Sequence, residues 1–184
     1  MKRTFIAVRV KPGEKLENFF SKLKDETGGS VKWVESDRMH ITLAFLGDTS
    51  EDTVKEVSDK LREICGKTSA FSFSITGLGV FRNLHDPKVI YAGIEGSQPL
   101  KELFEVIKEA LAVLEIPVEE RAFSPHLTLG RVKWLKDKKA LERMLKEYSG
   151  TEFQGVNVTE VIFYESILKP AGPVYIPMKT LKLI

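Results

Sequence analysis

Two of the three histidines in this 184-residue chain stand in the same pattern, in the segments His40-Ile41-Thr42-Leu43 and His126-Leu127-Thr128-Leu129. An imidazole can accept or donate a proton near neutral pH. A threonine hydroxyl can donate a hydrogen bond to an oxygen that gains charge during a reaction. One such pair, supplied twice, is suited to proton transfer around an anion. We therefore interpret His40, Thr42, His126 and Thr128 as the candidate catalytic residues.

Both copies lie in runs typical of β-strands, at 39–46 and 125–132. Side chains alternate between the two faces of a strand, so a histidine and the threonine two positions later share one face. The apolar residues between and after them face the other side and can enter a core. Each strand is therefore predicted to display an imidazole and a hydroxyl together.

The apolar periodicity predicts the elements that hold these two strands. Strands are expected at 4–10, 31–34, 39–46, 71–80, 89–94, 125–132, 158–168 and 174–183, and helices at 14–26, 51–65, 99–114 and 136–148. We expect the strands at 31–34 and 39–46 to pair, and Thr49 or Ser50 to cap the second helix.

The elements follow the same order in both halves of the chain, which predicts a duplicated α/β (α+β) fold. We expect two pseudo-symmetric lobes, each an antiparallel-rich sheet with flanking helices, enclosing a central cleft. Residues 1–184 would form one bilobal domain, with lobes at about 1–82 and 88–184 that can exchange strands. Both histidines would then meet across one site.

Composition limits the partners. The 28 basic and 26 acidic residues give a net charge of +2, so any contact with nucleic acid must depend on local charge. No segment approaches the roughly 20 apolar residues that span a bilayer, and none at the start resembles a secretion signal. The single Cys65 fits a reducing compartment. We expect a cytoplasmic monomer with no membrane partner, and abundant Lys and Glu beside few Asn and Gln suggest a thermophile.

Basic residues near the second motif are candidate anion contacts. Arg131 and Lys133 follow it and Arg121 precedes it. Strand alternation directs Arg131 away from His126 unless a β-bulge intervenes.

Three aromatic residues, Trp33, Phe81 and Tyr91, could stack on nucleic-acid bases, although aromatics in strands belong more often to the core. The segment Gly77-Leu78-Gly79 lacks the third glycine and the following helix of a nucleotide-binding loop. We interpret it as a bend or a close backbone approach.

Paired histidines also suggest zinc. A hydrolytic zinc site usually has three protein ligands, whereas each strand here offers one good ligand with no acidic or cysteine partner beside it. We therefore expect no metal and no cofactor. His85 lacks a threonine two positions later and is expected at the surface.

The paired motifs and several further stretches together resemble the 2H phosphoesterase superfamily. Within it, the chain is similar to the bacterial and archaeal RNA 2′,3′-cyclic phosphodiesterases, also called 2′-5′ RNA ligases. The resemblance covers essentially the whole chain. Besides the two motifs, it rests on Arg3-Thr4-Phe5-Ile6-Ala7-Val8, Ala44-Phe45-Leu46-Gly47, Gly77-Leu78-Gly79-Val80-Phe81, Tyr164-Glu165-Ser166 and Gly172-Pro173-Val174-Tyr175.

The resemblance implies a metal-independent enzyme that opens the terminal 2′,3′-cyclic phosphate of RNA, tRNA fragments included, to leave a 2′-phosphate. The reverse reaction with a 5′-hydroxyl would join RNA ends through a 2′-5′ bond. The family pattern makes His40 the proton donor, His126 the proton acceptor and Thr42 and Thr128 phosphate contacts. Arg131 becomes a candidate substrate contact, and Tyr91 and Phe81 are taken as further ones. Opposite protonation states of two histidines predict a bell-shaped pH profile.

Three other functions remain open at this point. The chain could bind nucleotides or RNA in its cleft without turnover. It could be another 2H esterase that acts on 2′-5′ oligoadenylate or on ADP-ribose cyclic phosphate. It could be a metallohydrolase, which a chelator would inactivate.

Overall fold

The computed structural model describes residues 1–118, 122–170 and 172–184, and in them the chain forms nine strands, four α-helices and one 3₁₀ turn. The strands are β1 (Lys2–Arg9), β2 (Ser30–Trp33), β3 (His40–Thr49), β4 (Phe71–Phe81), β5 (Val89–Glu95), β6 (Leu127–Trp134), β7 (Glu152–Val158), β8 (Glu160–Lys169) and β9 (Gly172–Lys182). The helices are α1 (Glu14–Thr27), α2 (Glu51–Cys65), α3 (Gln98–Val113) and α4 (Lys138–Glu147), and the 3₁₀ turn covers Ser36–Arg38.

The strands form two antiparallel sheets, with the orders β3-β1-β8-β9 and β2-β6-β5-β4-β7. Helices α2 and α3 pack on the first sheet, and α1 and α4 pack on the second. The predicted fold class, two antiparallel-rich sheets with flanking helices, is confirmed. Each histidine strand lies beside an equivalent neighbour, since β3 pairs with β1 and β6 pairs with β5.

Neither sheet is built from one half of the sequence. Strands β8 and β9 join β1 and β3, while β2 and β4 join β5, β6 and β7. Each half of the chain therefore completes the sheet of the other half, and this exchange ties the two sheets together.

The predicted pairing of the strands at 31–34 and 39–46 is wrong. Strand β2 pairs with β6 in the other sheet, and the Val34 N–H continues this contact by donating to the Leu129 carbonyl at 2.9 Å. The 3₁₀ turn at Ser36–Arg38 then carries the chain across to the first sheet. A short connection between two strands allows a hairpin, but it cannot specify one.

The strand predicted at 158–168 is in fact the second of two strands. Strand β7 precedes it and pairs with β4, whereas β8 pairs with β1, so the chain passes between the sheets at Thr159. Sequence reasoning missed β7 because two residues, Gln154 and Gly155, separate the buried Phe153 from Val156 and so break its apolar alternation. A register shift between Ile75 and Thr76 of β4 accompanies this irregularity.

The helix ends follow capping rules. Ser50, rather than Thr49, caps α2, because its Oγ accepts the Thr53 N–H at 3.1 Å. The buried Thr49 hydroxyl instead meets that of Thr4 at 2.7 Å. Asp137 caps α4 by accepting the Ala140 N–H at 2.9 Å, which sets the start of this helix later than predicted.

Strand β1 is buried on both faces. Ile6 and Val8 face the main core, which all four described helices enter, while Phe5 and Ala7 face a smaller cluster with Ile162 and Tyr164. The smaller cluster lies on the same face of the sheet as Thr42, because Ala7 pairs directly with Thr42. None of the described helices is both long and apolar enough to cross a membrane.

Two neighbouring positions on α3 test this core. Ile107 is 1% exposed and Val106 is 47% exposed. We expect Ile107→Ala to lower the free energy of unfolding by about 2–5 kcal/mol, because it removes buried methyl groups and leaves a cavity. The matched change Val106→Ala should alter it by about 0.5 kcal/mol or less. Urea unfolding of both variants measures the difference, and equal effects would contradict the described burial.

Candidate active site

The two sheets meet along the strands that carry the histidine motifs. Cα atoms of β3 and β6 approach within 8 Å of one another. His40 is the first residue of β3, and His126 immediately precedes β6. The exchange of strands thus brings the two strands that carry His40, Thr42, His126 and Thr128 next to one another, and we refer to the space between them as the cleft.

The same hydrogen bond orients each imidazole. His40 Nδ1 lies 2.6 Å from the Arg38 carbonyl oxygen, and His126 Nδ1 lies 2.8 Å from the Ser124 carbonyl oxygen. A carbonyl only accepts, so Nδ1 must carry the proton in both rings. The Nε2 of a neutral ring is then a proton acceptor, and the Nε2 of a charged ring is a proton donor. Both rings are therefore set up for acid-base chemistry at Nε2.

Aromatic side chains hold both imidazoles. The centroid of the His40 ring lies 5.1 Å from that of Phe5 and 5.2 Å from that of Tyr175. The centroid of the His126 ring lies 4.6 Å from that of Phe81 and 5.5 Å from that of Tyr91. Such packing restricts rotation of each ring and removes water from around it.

The two threonines present free hydroxyls. Thr42 is exposed and pairs with Ala7, while Thr128 is half-buried and pairs with Tyr91. Within the described part of the chain, neither hydroxyl hydrogen-bonds to another side chain or to the backbone. Both can therefore donate to an anion that lies between the two strands.

A β-bulge brings Arg131 to the cleft. Thr128 pairs with Tyr91 and Arg131 pairs with Val89, so the register shifts at Leu129. Because Tyr91 and Val89 lie two residues apart on β5, Thr128 and Arg131 share one face. The bulge thus reverses the alternation that would otherwise turn Arg131 away from the histidines. Lys133 is exposed further along β6, and Arg121 lies outside the described residues.

The first motif has an equivalent bulge but a different side chain. Thr42 pairs with Ala7 and Phe45 pairs with Phe5, so the register shifts at Leu43 and Phe45 occupies the position equivalent to Arg131. The Arg3 guanidinium carbon lies 4.8 Å from the centroid of the Phe45 ring. The two halves of the site are therefore related in backbone but not in charge.

The cleft disfavours positive charge on both histidines. Burial lowers the pKa of His40 below its usual 6.5, and the charges on Arg131 and His126 lower it further, against the Arg38 hydrogen bond. Burial and the Arg131 charge likewise lower the pKa of His126, against the Ser124 hydrogen bond. Arg131 shares the face of β6 that carries Thr128, and its positive charge disfavours the charged form of both rings. An anion bound between the rings would reverse this effect by favouring the charged imidazolium.

The predicted aromatic contacts divide between cleft and core. Phe81 and Tyr91 stack on each other at 4.3 Å and flank His126. Trp33 lies on the opposite face of β2 and packs against Phe20 in the main core, so its suggested role in stacking on a base is wrong. The alternation of β2 decides this, because its neighbour Lys32 pairs with Arg131 and takes the cleft face.

Glycine residues make room for Tyr91. A β-carbon on Gly79 would stand 2.4 Å from the Tyr91 ring, and Gly77 has a φ of +66° at the register shift between Thr76 and Leu78. The segment Gly77-Leu78-Gly79 is thus a bend and a close approach, as predicted.

His85 is exposed, and Cys65 is buried, which raises the pKa of its thiol to about 11.

Sequence reasoning missed Phe5, Arg9, Arg38 and Tyr175 as neighbours of His40. Phe5 and Arg9 stand in β1, where alternation alone would have placed them with Ala7 on one face. No local signal connects Tyr175 with His40, because β9 reaches the site only through β8.

Among the described residues, no group of three or more His, Cys, Asp or Glu side chains is placed to hold a metal ion.

The effect of Arg131 on the histidines is open to a direct test. We expect Arg131→Gln to raise the pKa of both His40 and His126, because it removes a nearby positive charge. Titration of the imidazole ring protons by NMR measures both values. Arg143→Gln, on the exposed face of α4, is the matched control and should leave both unchanged. A lowered or constant pKa in Arg131→Gln would contradict the described position of Arg131.

Comparison with known proteins gives a consistent result. The family model described as the 2′-5′ RNA ligase superfamily matches residues 12–167. The chain is 35% identical to the RNA 2′,3′-cyclic phosphodiesterase of Thermotoga maritima, over 94% of this chain and 91% of that protein. It is 31% identical to the protein of the same name from Methanothermobacter thermautotrophicus, over 98% of each chain.

Among solved structures, a protein of Thermus thermophilus has the same fold, with a TM-score of 0.80, 25% sequence identity and coverage of 98% of this chain and 97% of that chain. The family predicted from the two motifs is therefore confirmed. The chain belongs to the 2′-5′ RNA ligase superfamily.

Proposed function

We propose that this protein hydrolyses the 2′,3′-cyclic phosphate at RNA ends to a 2′-phosphate, using His40 and His126 without a metal ion. One observation carries the proposal: on the adjoining strands β3 and β6, each motif has an imidazole whose Nδ1 is bound to a backbone carbonyl and a threonine hydroxyl without a partner among the described residues, and a bulge turns Arg131 to the face of Thr128. The Thermotoga and Methanothermobacter relatives, which are named RNA 2′,3′-cyclic phosphodiesterases, support the same activity.

In the proposed reaction, neutral His126 accepts a proton through Nε2 from a water molecule that attacks the cyclic phosphorus. A bond forms between phosphorus and the water oxygen, and the bond between phosphorus and the 3′-oxygen breaks. Charged His40 donates its Nε2 proton to the leaving 3′-oxygen. The 2′-phosphate remains, and the two rings end with exchanged protonation states. The reverse reaction, with an RNA 5′-hydroxyl in place of water, would form a 2′-5′ bond.

The remaining polar groups would stabilise charge on the phosphate oxygens. Thr42 and Thr128 supply hydroxyl donors from equivalent positions, and Arg131 supplies a positive charge from one side only. The anionic substrate also has a second role. Because the free cleft lowers the pKa of His40, this residue would gain its proton most readily when the cyclic phosphate is present.

Phe81 and Tyr91 are the proposed contacts for the nucleoside that carries the cyclic phosphate. Both are half-buried and lie against His126, so the part of each ring that stays exposed is available to a base or ribose. RNA ends, fragments of tRNA among them, are the proposed partners, and a monomer in the cytoplasm is the proposed state.

The decisive assay offers the protein an RNA that ends in a 2′,3′-cyclic phosphate, with an excess of chelator, and identifies the phosphate isomer formed. We expect a 2′-phosphate product from the wild type. His40→Ala and His126→Ala should each lower the rate on the order of 10²- to 10⁴-fold, because each removes a proton-transfer group. His85→Ala, at the surface, is the matched control and should retain the wild-type rate.

Several results would redirect the proposal. Equal rates for the wild type and both alanine variants would exclude the two-histidine mechanism, and loss of activity with chelator would indicate a metallohydrolase. Binding of the RNA without product would indicate a binding module. Faster turnover of 2′-5′ oligoadenylate or ADP-ribose cyclic phosphate would indicate another esterase of the superfamily.

The contact between Gly79 and the Tyr91 ring provides a test that changes no proposed catalytic residue. Gly79→Ala would place a β-carbon against the Tyr91 ring, so this ring must move and disturb His126. We expect a loss of roughly 10- to 100-fold in kcat/KM, as for a small misplacement of reacting groups. Gly155→Ala, whose β-carbon would meet no atom within 4 Å, is the control and should behave as wild type. Steady-state kinetics measures kcat/KM for both variants. Equal kcat/KM values for Gly79→Ala and Gly155→Ala would contradict this role of Gly79.

A further inference from the structure

A polar pocket is lined by His40 together with residues of the 3₁₀ turn and of β1, β8 and β9. It has a volume of about 150 Å³, and its lining includes Arg9, Asp37, Arg38, His40, Tyr164 and Tyr175. We propose that this pocket binds the phosphodiester group that joins the terminal nucleotide of the RNA to the nucleotide before it. This inference rests on the proposed function, because it assigns the substrate's second phosphate to a site next to the reacting one.

The charge of the pocket favours an anion. Within the described residues, Arg9 has no carboxylate partner, and Arg38 meets only Asp37, with 3.9 Å between Nε and Oδ1. The Asp37 side chain is 81% exposed, so water screens its charge. Two guanidinium groups at one pocket therefore keep most of their positive charge for a ligand. A phosphate oxygen is the acceptor that the planar arginine fork binds best.

The donors in the pocket are directed by the protein. Arg9 Nε donates to the Tyr164 hydroxyl at 3.1 Å. This bond fixes the guanidinium and leaves its other N–H groups available. It also leaves the Tyr164 proton free to be donated, since that hydroxyl already accepts from Arg9. The Tyr164 ring is itself immobilised, because it is 5% exposed and stacks on Phe5 with centroids 5.0 Å apart.

Tyr175 connects this pocket with the rest of the basic surface. Arg38 and Tyr175 line the pocket together. Burial raises the pKa of the Tyr175 hydroxyl, and the positive charges of Arg131, Arg38 and Arg3 oppose this rise. Its ring also packs edge-on against His40. The chain's net charge of +2 is too small to attract RNA as a whole, so this local cluster is where the backbone would be held.

The size and position of the pocket suit a neighbouring phosphate. A volume of about 150 Å³ is far more than a single water molecule needs, so a phosphate group can enter the pocket. The pocket also adjoins the reacting site directly, because the Arg38 carbonyl holds His40 Nδ1 while the Arg38 side chain lines the pocket. A ligand with two consecutive phosphates can occupy both sites, whereas a cyclic mononucleotide occupies one.

The test compares a dinucleotide that ends in a 2′,3′-cyclic phosphate with the corresponding cyclic mononucleotide. We expect the wild type to prefer the dinucleotide in kcat/KM. Arg9→Gln and Arg38→Gln should each lower the ratio of the two kcat/KM values by about tenfold or more, as expected when a charged hydrogen-bond donor is lost. Arg143→Gln on α4 is the matched control and should keep the wild-type ratio. Unchanged ratios in both pocket variants would overturn the proposal.

A binding measurement separates this proposal from the proposed function. Calorimetric titration with the 2′-phosphate-ended dinucleotide and with 2′-AMP requires no turnover. If the wild type hydrolyses neither cyclic substrate, a loss of dinucleotide affinity confined to Arg9→Gln and Arg38→Gln would still support the pocket, and equal affinities would reject it.

A third titration, with inorganic phosphate, tests whether the pocket binds a free phosphate instead of the RNA backbone. If inorganic phosphate binds the wild type through Arg9 and Arg38 while the dinucleotide gains no affinity over 2′-AMP, the pocket serves a free phosphate. That result would overturn its assignment to the RNA backbone. Urea unfolding of each variant, expected to match the wild type, excludes a general loss of structure.

Discussion

The hydrogen bond between each histidine Nδ1 and the carbonyl two residues before it is the constraint on which the site depends. It appears at His40 with Arg38 and at His126 with Ser124. Because a carbonyl cannot donate, the bond determines which nitrogen carries the proton and leaves Nε2 for chemistry. The aromatic rings around each imidazole preserve this orientation. Without these contacts, two histidines in one cleft would be only two titratable groups with no common direction.

The electrostatics of the cleft oppose the charged form of both histidines. Burial and Arg131 lower the pKa of each, and His40 is affected by His126 as well. A proton donor with a lowered pKa requires a compensating negative charge, which the phosphate of a substrate would supply. In the proposed reaction, the arginines would attract the anion, and the bound anion would in turn make His40 an effective acid. Substrate binding and catalytic protonation would in this way be one coupled event.

The two halves of the site have similar backbones but different side chains. Both motifs are followed by a bulge, at Leu43 and at Leu129, and the residue this brings to the cleft is Phe45 in one half and Arg131 in the other. The half that carries His40 instead has Arg9 and Arg38, which line one pocket together with His40. A phosphate between the rings would therefore meet unequal surroundings on its two sides, which allows two chemically similar histidines to take different roles.

The sequence by itself determined the local structure and the candidate groups. Periodicity located most strands and all four helices, and the repeated pattern identified His40, Thr42, His126 and Thr128, because alternation along a strand is a local property. Only the tertiary structure decided which strands pair, that Trp33 faces the core, and that Arg131 faces the cleft. Strand exchange brings Tyr164 and Tyr175 to His40 from the far end of the chain. Pairing and bulges depend on contacts between distant segments, and no single stretch of sequence contains that information.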